Sequence, residues 1–76
     1  MKFKIRLDTN TDAVRLATIA GHPDFANERI TVTDGNGLRA NAKSVLGTLS
    51  AMEYNDLWLE TEHDHFFVFR EFIVEE

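Results

Sequence analysis

The chain has 76 residues, 43% of them hydrophobic and 28% charged, with a formal charge of −5; this is the balance of a folded domain, not of a disordered tail. With no cysteine, a disulfide framework, a thiolate metal site and a cysteine nucleophile are all excluded. The acidic balance argues against nucleic-acid binding, which draws its affinity from clustered Lys and Arg, and the length allows one domain, 1–76, burying only about 60% of its unfolded surface.

In chain order, Phe3, Ile5 and Leu7 alternate with Lys2, Lys4 and Arg6, predicting a half-buried strand over 2–8. Thr9 followed by Asp12 has the spacing of a capping box with Asp in the Glu position. Ala13, Leu16, Ala17 and Ala20 then recur at helical spacing, and Gly21 with His22-Pro23 stops the helix, placing it at about 11–20. Asp24–Asn27 reads as a connector with Phe25 turned inward, and Ile30 and Val32, alternating with Arg29, Thr31 and Thr33, form a second strand. Asp34-Gly35-Asn36-Gly37 tolerates positive φ and predicts a hairpin turn. Leu38 and Ala40 are then expected on the inner side of a short third strand.

Val45, Leu46, Leu49 and Met52 mark a second helix with Ser44 as its N-cap. Asp56–Glu62 alternates again, with Leu57, Leu59 and Thr61 opposite Trp58, Glu60 and Glu62, in a fourth strand. From Asp64 onward the local pattern is divided: Phe66, Phe69, Phe72 and Ile73 fit a helical face, yet Phe67, Val68 and Val74 favour strands. The expected architecture is an α/β (α+β) open-faced sandwich, a four-stranded mostly antiparallel sheet with two to three helices on one face, in the order βαββαβα.

Ala40-Asn41-Ala42-Lys43-Ser44-Val45-Leu46-Gly47-Thr48-Leu49-Ser50 resembles the regulatory-serine segment of the histidine-containing phosphocarrier (HPr) family, in which a short apolar strand runs into Lys-Ser and a small apolar helix. The order of elements is similar over the whole chain. The resemblance implies that the tail is a helix, Asp64–Glu75, packed across the sheet. It further implies that Ser44 is the site of regulatory phosphorylation, and that Val45, Leu46 and Leu49, with Arg15 of the first helix, form a partner-docking surface. Leu46 is expected to be the exposed member, because so short a helix cannot bury four apolar residues against one sheet.

The chain departs from the family where the family does its chemistry. The Gly-x-His-x-Arg-Pro pattern that carries the phosphorylated histidine is replaced by Thr9-Asn10-Thr11-Asp12-Ala13-Val14-Arg15. Asp12 is the degenerate equivalent of that site, and Arg15 stands nearest to the family's arginine. His22 lies past the C-terminal end of the first helix, where the dipole disfavours an anion. His63 and His65 flank Asp64 in a His-x-His pair that can bind a metal; with no third ligand in sequence, the favoured reading is a polar turn capped by Asp64, with no metal.

Trp58 is expected on the open face of the sheet, covered by the stems of Lys4 or Arg6. The charge is uneven, basic at Lys2, Lys4 and Arg6 and acidic from Glu53 onward, as suits basic and acidic strands lying side by side. No catalytic motif is present, so no enzyme activity and no cofactor are expected. No stretch approaches the ~18 apolar residues of a membrane span, and Met1–Arg6 lacks the apolar run of a secretory signal. Together these features predict a cytoplasmic, monomeric, non-catalytic protein that regulates or binds protein partners, with no nucleic acid and no membrane. Two alternatives stand beside it: a sugar-phosphotransferase-system phosphocarrier with an altered phosphorylation site, and a phage-type adaptor or inhibitor of a host protein.

Overall fold

The stripes and alternations of the sequence assemble, in the computed structural model of residues 1–75, into β1 (Lys2–Lys4), α1 (Asn10–Ala20), β2 (Ile30–Thr33), β3 (Arg39–Asn41), α2 (Val45–Ala51), β4 (Trp58–Thr61) and α3 (Phe66–Phe69). Single 3-10 turns at Pro23–Phe25 and Arg70–Phe72 complete the chain, and Glu76 of the expected domain lies outside the described residues. The four strands pair antiparallel in the order β1-β4-β2-β3. This is the α+β architecture that the alternation implies. No helix of the described residues is long and apolar enough to cross a membrane.

Register divides the sheet into two faces. Phe3, Leu59, Val32 and Ala40 lie abreast on the inner face, and Lys4, Trp58, Thr33 and Arg39 abreast on the outer one. The inner face packs against Ala13, Leu16 and Ala20 of α1, Ala51 of α2, Phe69 of α3 and Phe72, all buried in one cluster. α1 starts as the sequence predicts: the Thr9 hydroxyl accepts from the Asp12 N–H at 3.1 Å, and the Asp12 carboxylate accepts from the Thr9 N–H at 3.2 Å. The hairpin turn holds Gly35 and Gly37 at φ 81° and 107°, conformations that a side chain would strain.

Four local expectations are corrected. The first strand is short, because Ile5 leaves the regular ladder for an isolated bridge with Ile73. Thr31 and Thr33, read as wet, are buried. β2 is a central strand, and its outward side is flanked by the long side chains of Glu60 and Trp58 on β4 and Arg39 on β3. Leu38 is exposed and not inside. It belongs to the turn, where its N–H donates to Asp34 Oδ1 at 3.1 Å and its carbonyl accepts from the Thr33 hydroxyl at 2.7 Å, ahead of the first β3 residue.

The tail is the fourth correction. The helix expected over Asp64–Glu75 is confined to Phe66–Phe69 and continues only as the 3-10 turn Arg70–Phe72. Phe69 and Phe72, three residues apart, both reach the core, which anchors the tight turn. Ile73 then turns extended (ψ 131°), and the chain runs along the free edge of β1, with Arg6 N–H donating to Phe72 O and Val74 N–H to Lys4 O, both at 2.9 Å. The strand preference of the β-branched residues prevails at that point, and the segment covers an edge that would otherwise be open.

Phe69 is fully buried and stacks at 5.9 Å on Phe25. Phe69→Ala is expected to destabilise the fold by about 3–5 kcal/mol, enough in so small a domain to leave much of the population unfolded at 25 °C. Urea titration followed by far-UV circular dichroism measures this.

Candidate functional site

The start of α2 is built by a tight turn. Asn41 O accepts from Ser44 N–H at 3.0 Å, and Asn41 Oδ1 from Lys43 N–H at 2.9 Å. Ser44 is extended (φ −96°, ψ 123°), and its hydroxyl accepts from the Gly47 N–H at 3.1 Å, the N-cap that its position predicts. Gly47 permits the close approach: a Cβ there would lie 3.1 Å from Asn41 O and 3.3 Å from Ser44 Cβ.

Thr48 fixes the rotation of α2. It is fully buried, and its hydroxyl reaches across to the Ala13 carbonyl of α1 at 3.2 Å, while also lying 3.1 Å from Ser44 O. Leu46, two residues earlier, is about 200° away around the helix and so points outward, 78% exposed. Val45 beside it is 41% exposed. Leu49 and Met52 pack against the core as partly buried residues. The inward face of α2 therefore consists of Thr48 and Ala51 as much as of its larger apolar residues.

Not every expected docking residue is gathered here. Arg15 lies about 200° around α1 from Ala13, away from the α2 contact, and its guanidinium pairs with Glu71 at 2.6 Å. Asp12 lies in the first turn of the same helix, where its Oδ2 accepts from the Asp8 and Thr9 N–H groups at 3.0 and 3.2 Å. The apolar surface of α2 is thus the pair Val45–Leu46, with Leu49 behind it.

On the outer face, Trp58 is covered by Lys2 and Lys4, each ammonium 5.1 Å from the ring centroid. Lys4 is the expected cover; Lys2 replaces Arg6, whose guanidinium pairs with Asp8 at 3.0 Å. Asp56 ties the group together, accepting from Trp58 Nε1 at 2.9 Å and from Lys4 Nζ. The hydrogen bonds from Lys4 and then Trp58 hold the Asp56 carboxyl below its ordinary range.

The His-x-His turn holds a residue that sequence spacing misses. Glu28, 35 positions before His63, reaches the turn and presents Oε1 to His65 Nε2 at 2.7 Å and to His63 Nδ1 at 3.3 Å. Its Oε2 accepts from the backbone N–H groups of Glu62 and His63 at 3.0 and 3.2 Å. Burial pushes the Glu28 carboxyl up, but the hydrogen bonds from His65 and from the His63 backbone and ring outweigh it and bring it down to about 2. Asp64 accepts from the Phe66 N–H at 3.0 Å, the capping role expected of it. No local pattern points to Glu28; only the approach of the 25–29 connector to the end of β4 does.

No protein-family model, no curated protein and no solved structure matches the chain.

Two measurements check this geometry. Ser44→Ala is expected to lower unfolding free energy by about 1 kcal/mol, read from urea midpoints, with Ser44→Asp restoring most of it. A carboxyl held low favours the folded state above the ordinary Asp range, and that contribution is lost as pH falls through its lowered value. Fluorescence of the single tryptophan should therefore titrate with a midpoint below the ~3.9 of a free Asp, and Asp56→Asn should remove that step.

Proposed function

We propose that this chain is a protein-interaction domain of the HPr type that lacks the phosphocarrier histidine and docks through the start of α2. The observation that carries the reading is Leu46, 78% exposed beside Val45 on a helix start locked by the Ser44 cap and by the Thr48–Ala13 contact. A large aliphatic side chain displayed on a rigid element loses little entropy when a partner's apolar pocket closes over it. The βαββαβα order and the string Ala40–Ser50 support the family reading. The partner is a protein with an apolar pocket, and α1 contributes a neighbouring surface.

The arrangement around Asp12 favours this reading over an altered phosphocarrier. The Asp12 carboxylate is itself engaged, its Oδ2 accepting from the Asp8 and Thr9 N–H groups just before α1, and Arg15 is paired with Glu71. Ser44 immediately precedes Val45 and Leu46, so a phosphate there would lie beside the docking pair and adjust it.

Leu46→Glu places a charge on an exposed position, so stability is expected to change by less than about 0.5 kcal/mol, while capture of a partner falls at least tenfold. Comparative affinity capture from host lysate with the wild type, Leu46→Glu and Phe67→Glu reads this, Phe67 being the most exposed large apolar side chain of the described residues at 81%. Partners lost by the Phe67 variant but kept by the Leu46 variant would place docking on α3 and defeat the proposal.

A further inference from the structure

Glu28, His63 and His65 form the one group in the described residues whose nitrogen and carboxylate ligand atoms converge, all within 4.8 Å of one another. Around an ion with bonds of about 2.0 Å, tetrahedral ligands stand about 3.3 Å apart. The Glu28 Oε1 to His63 Nδ1 separation is 3.3 Å, and the 2.7 Å between Oε1 and His65 Nε2 opens to that value with a small imidazole shift.

The donors are also held in place from outside. Glu28 Oε2 is fixed by two backbone N–H groups, which leaves Oε1 aimed at the two imidazoles. His65 packs edge-on against Phe25 with ring centroids 4.9 Å apart, and its side chain is 21% exposed. His63 lies on the outside at 75% exposure, so the site has a solvent entrance and room for a water. The neighbouring carboxylates are engaged elsewhere, Glu62 with the Arg29 N–H and Asp64 with the Phe66 N–H.

We propose that Glu28 Oε1, His63 Nδ1 and His65 Nε2 bind a single Zn2+ ion, with water as the fourth ligand. Two imidazoles and one carboxylate form a borderline donor set that suits Zn2+, whereas Mg2+ and Ca2+ require oxygen cages. The ion cross-links the connector before β2 to the turn after β4, segments 35 to 37 residues apart in the chain, so its binding is read as stability. The site is separate from Val45 and Leu46, and the proposal stands whether or not that pair docks a partner.

The test is calorimetric titration of the untagged full chain with ZnCl2 at pH 7, with imidazole 15N spectra of the same sample. The expected result is one ion per chain, perturbation of His63 Nδ1 and His65 Nε2, and Tm raised by roughly 10–20 °C at a hundredfold excess over Kd. Mg2+ should give no shift. His63→Ala, at an exposed position, should fold normally and weaken Zn2+ at least tenfold; Glu28→Gln should weaken Zn2+ as well while lowering the stability of the metal-free fold, and His22→Ala should change nothing. No uptake below millimolar Zn2+, or undiminished binding by His63→Ala, would overturn the proposal and leave the cluster a hydrogen-bonded staple between loops.

Discussion

The fold depends on how closely α1 and α2 approach one another. A domain of this size covers one sheet face with little material, so its helices must lie close to each other and to the strands. Small side chains make that possible: Ala13, Ala17, Ala20, Thr48 and Ala51 are all buried. The Thr48 hydroxyl donates to the Ala13 carbonyl, so the polar atom it carries into this contact is partnered, as a buried hydroxyl requires. Once that contact is made, the rotation of α2 is set. The outward display of Leu46 follows from the packing of Thr48 and is not a separate feature of the surface.

The opposite face of the sheet is organised by charge and aromatic cover. Trp58 lies under two ammonium groups and is tethered by Asp56, while Arg39 spans to Glu60 at 2.6 Å. Exposed pairs of this kind contribute little singly. Their effect here is to shield Thr31 and Thr33, so that the central strand is dry on both sides although its sequence alternates. The basic start and acidic end of the chain thus meet across adjacent strands, at Lys4 and Asp56, without a second molecule.

Local chemistry was legible in the sequence, and distant company was not. The Thr9–Asp12 box, the Ser44 cap and the glycine turn all follow from interactions within about four residues, and the outward Leu46 follows from the shortness of its helix. Phe25 turns inward, as its sequence context implies, because a lone aromatic in a polar connector has few other places to go. What escaped required tertiary contacts: the choice of Lys2 over Arg6 above Trp58, the exposure of Leu38, and the arrival of Glu28 at the His63–His65 turn. The tail misled for a different reason. Its helical and strand preferences are both real, and they operate in succession, helix at Phe66–Phe69 and extended chain from Ile73, where a single state was expected.

The strip at Ile73–Val74 also bears on how the chain reaches its fold. β1 is held on one side by β4, where Met1 and Thr61 pair across 60 residues of sequence, and on the other by Ile73 and Val74 through Ile5 and Lys4. Neither partner is local, so each contact closes a loop that spans most of the domain and cannot be repaid until it closes. The β2–β3 hairpin and the two capped helices can form early from short-range contacts. β1 is therefore the last strand to be secured, and it waits for both β4 and the Ile73–Val74 strip to arrive.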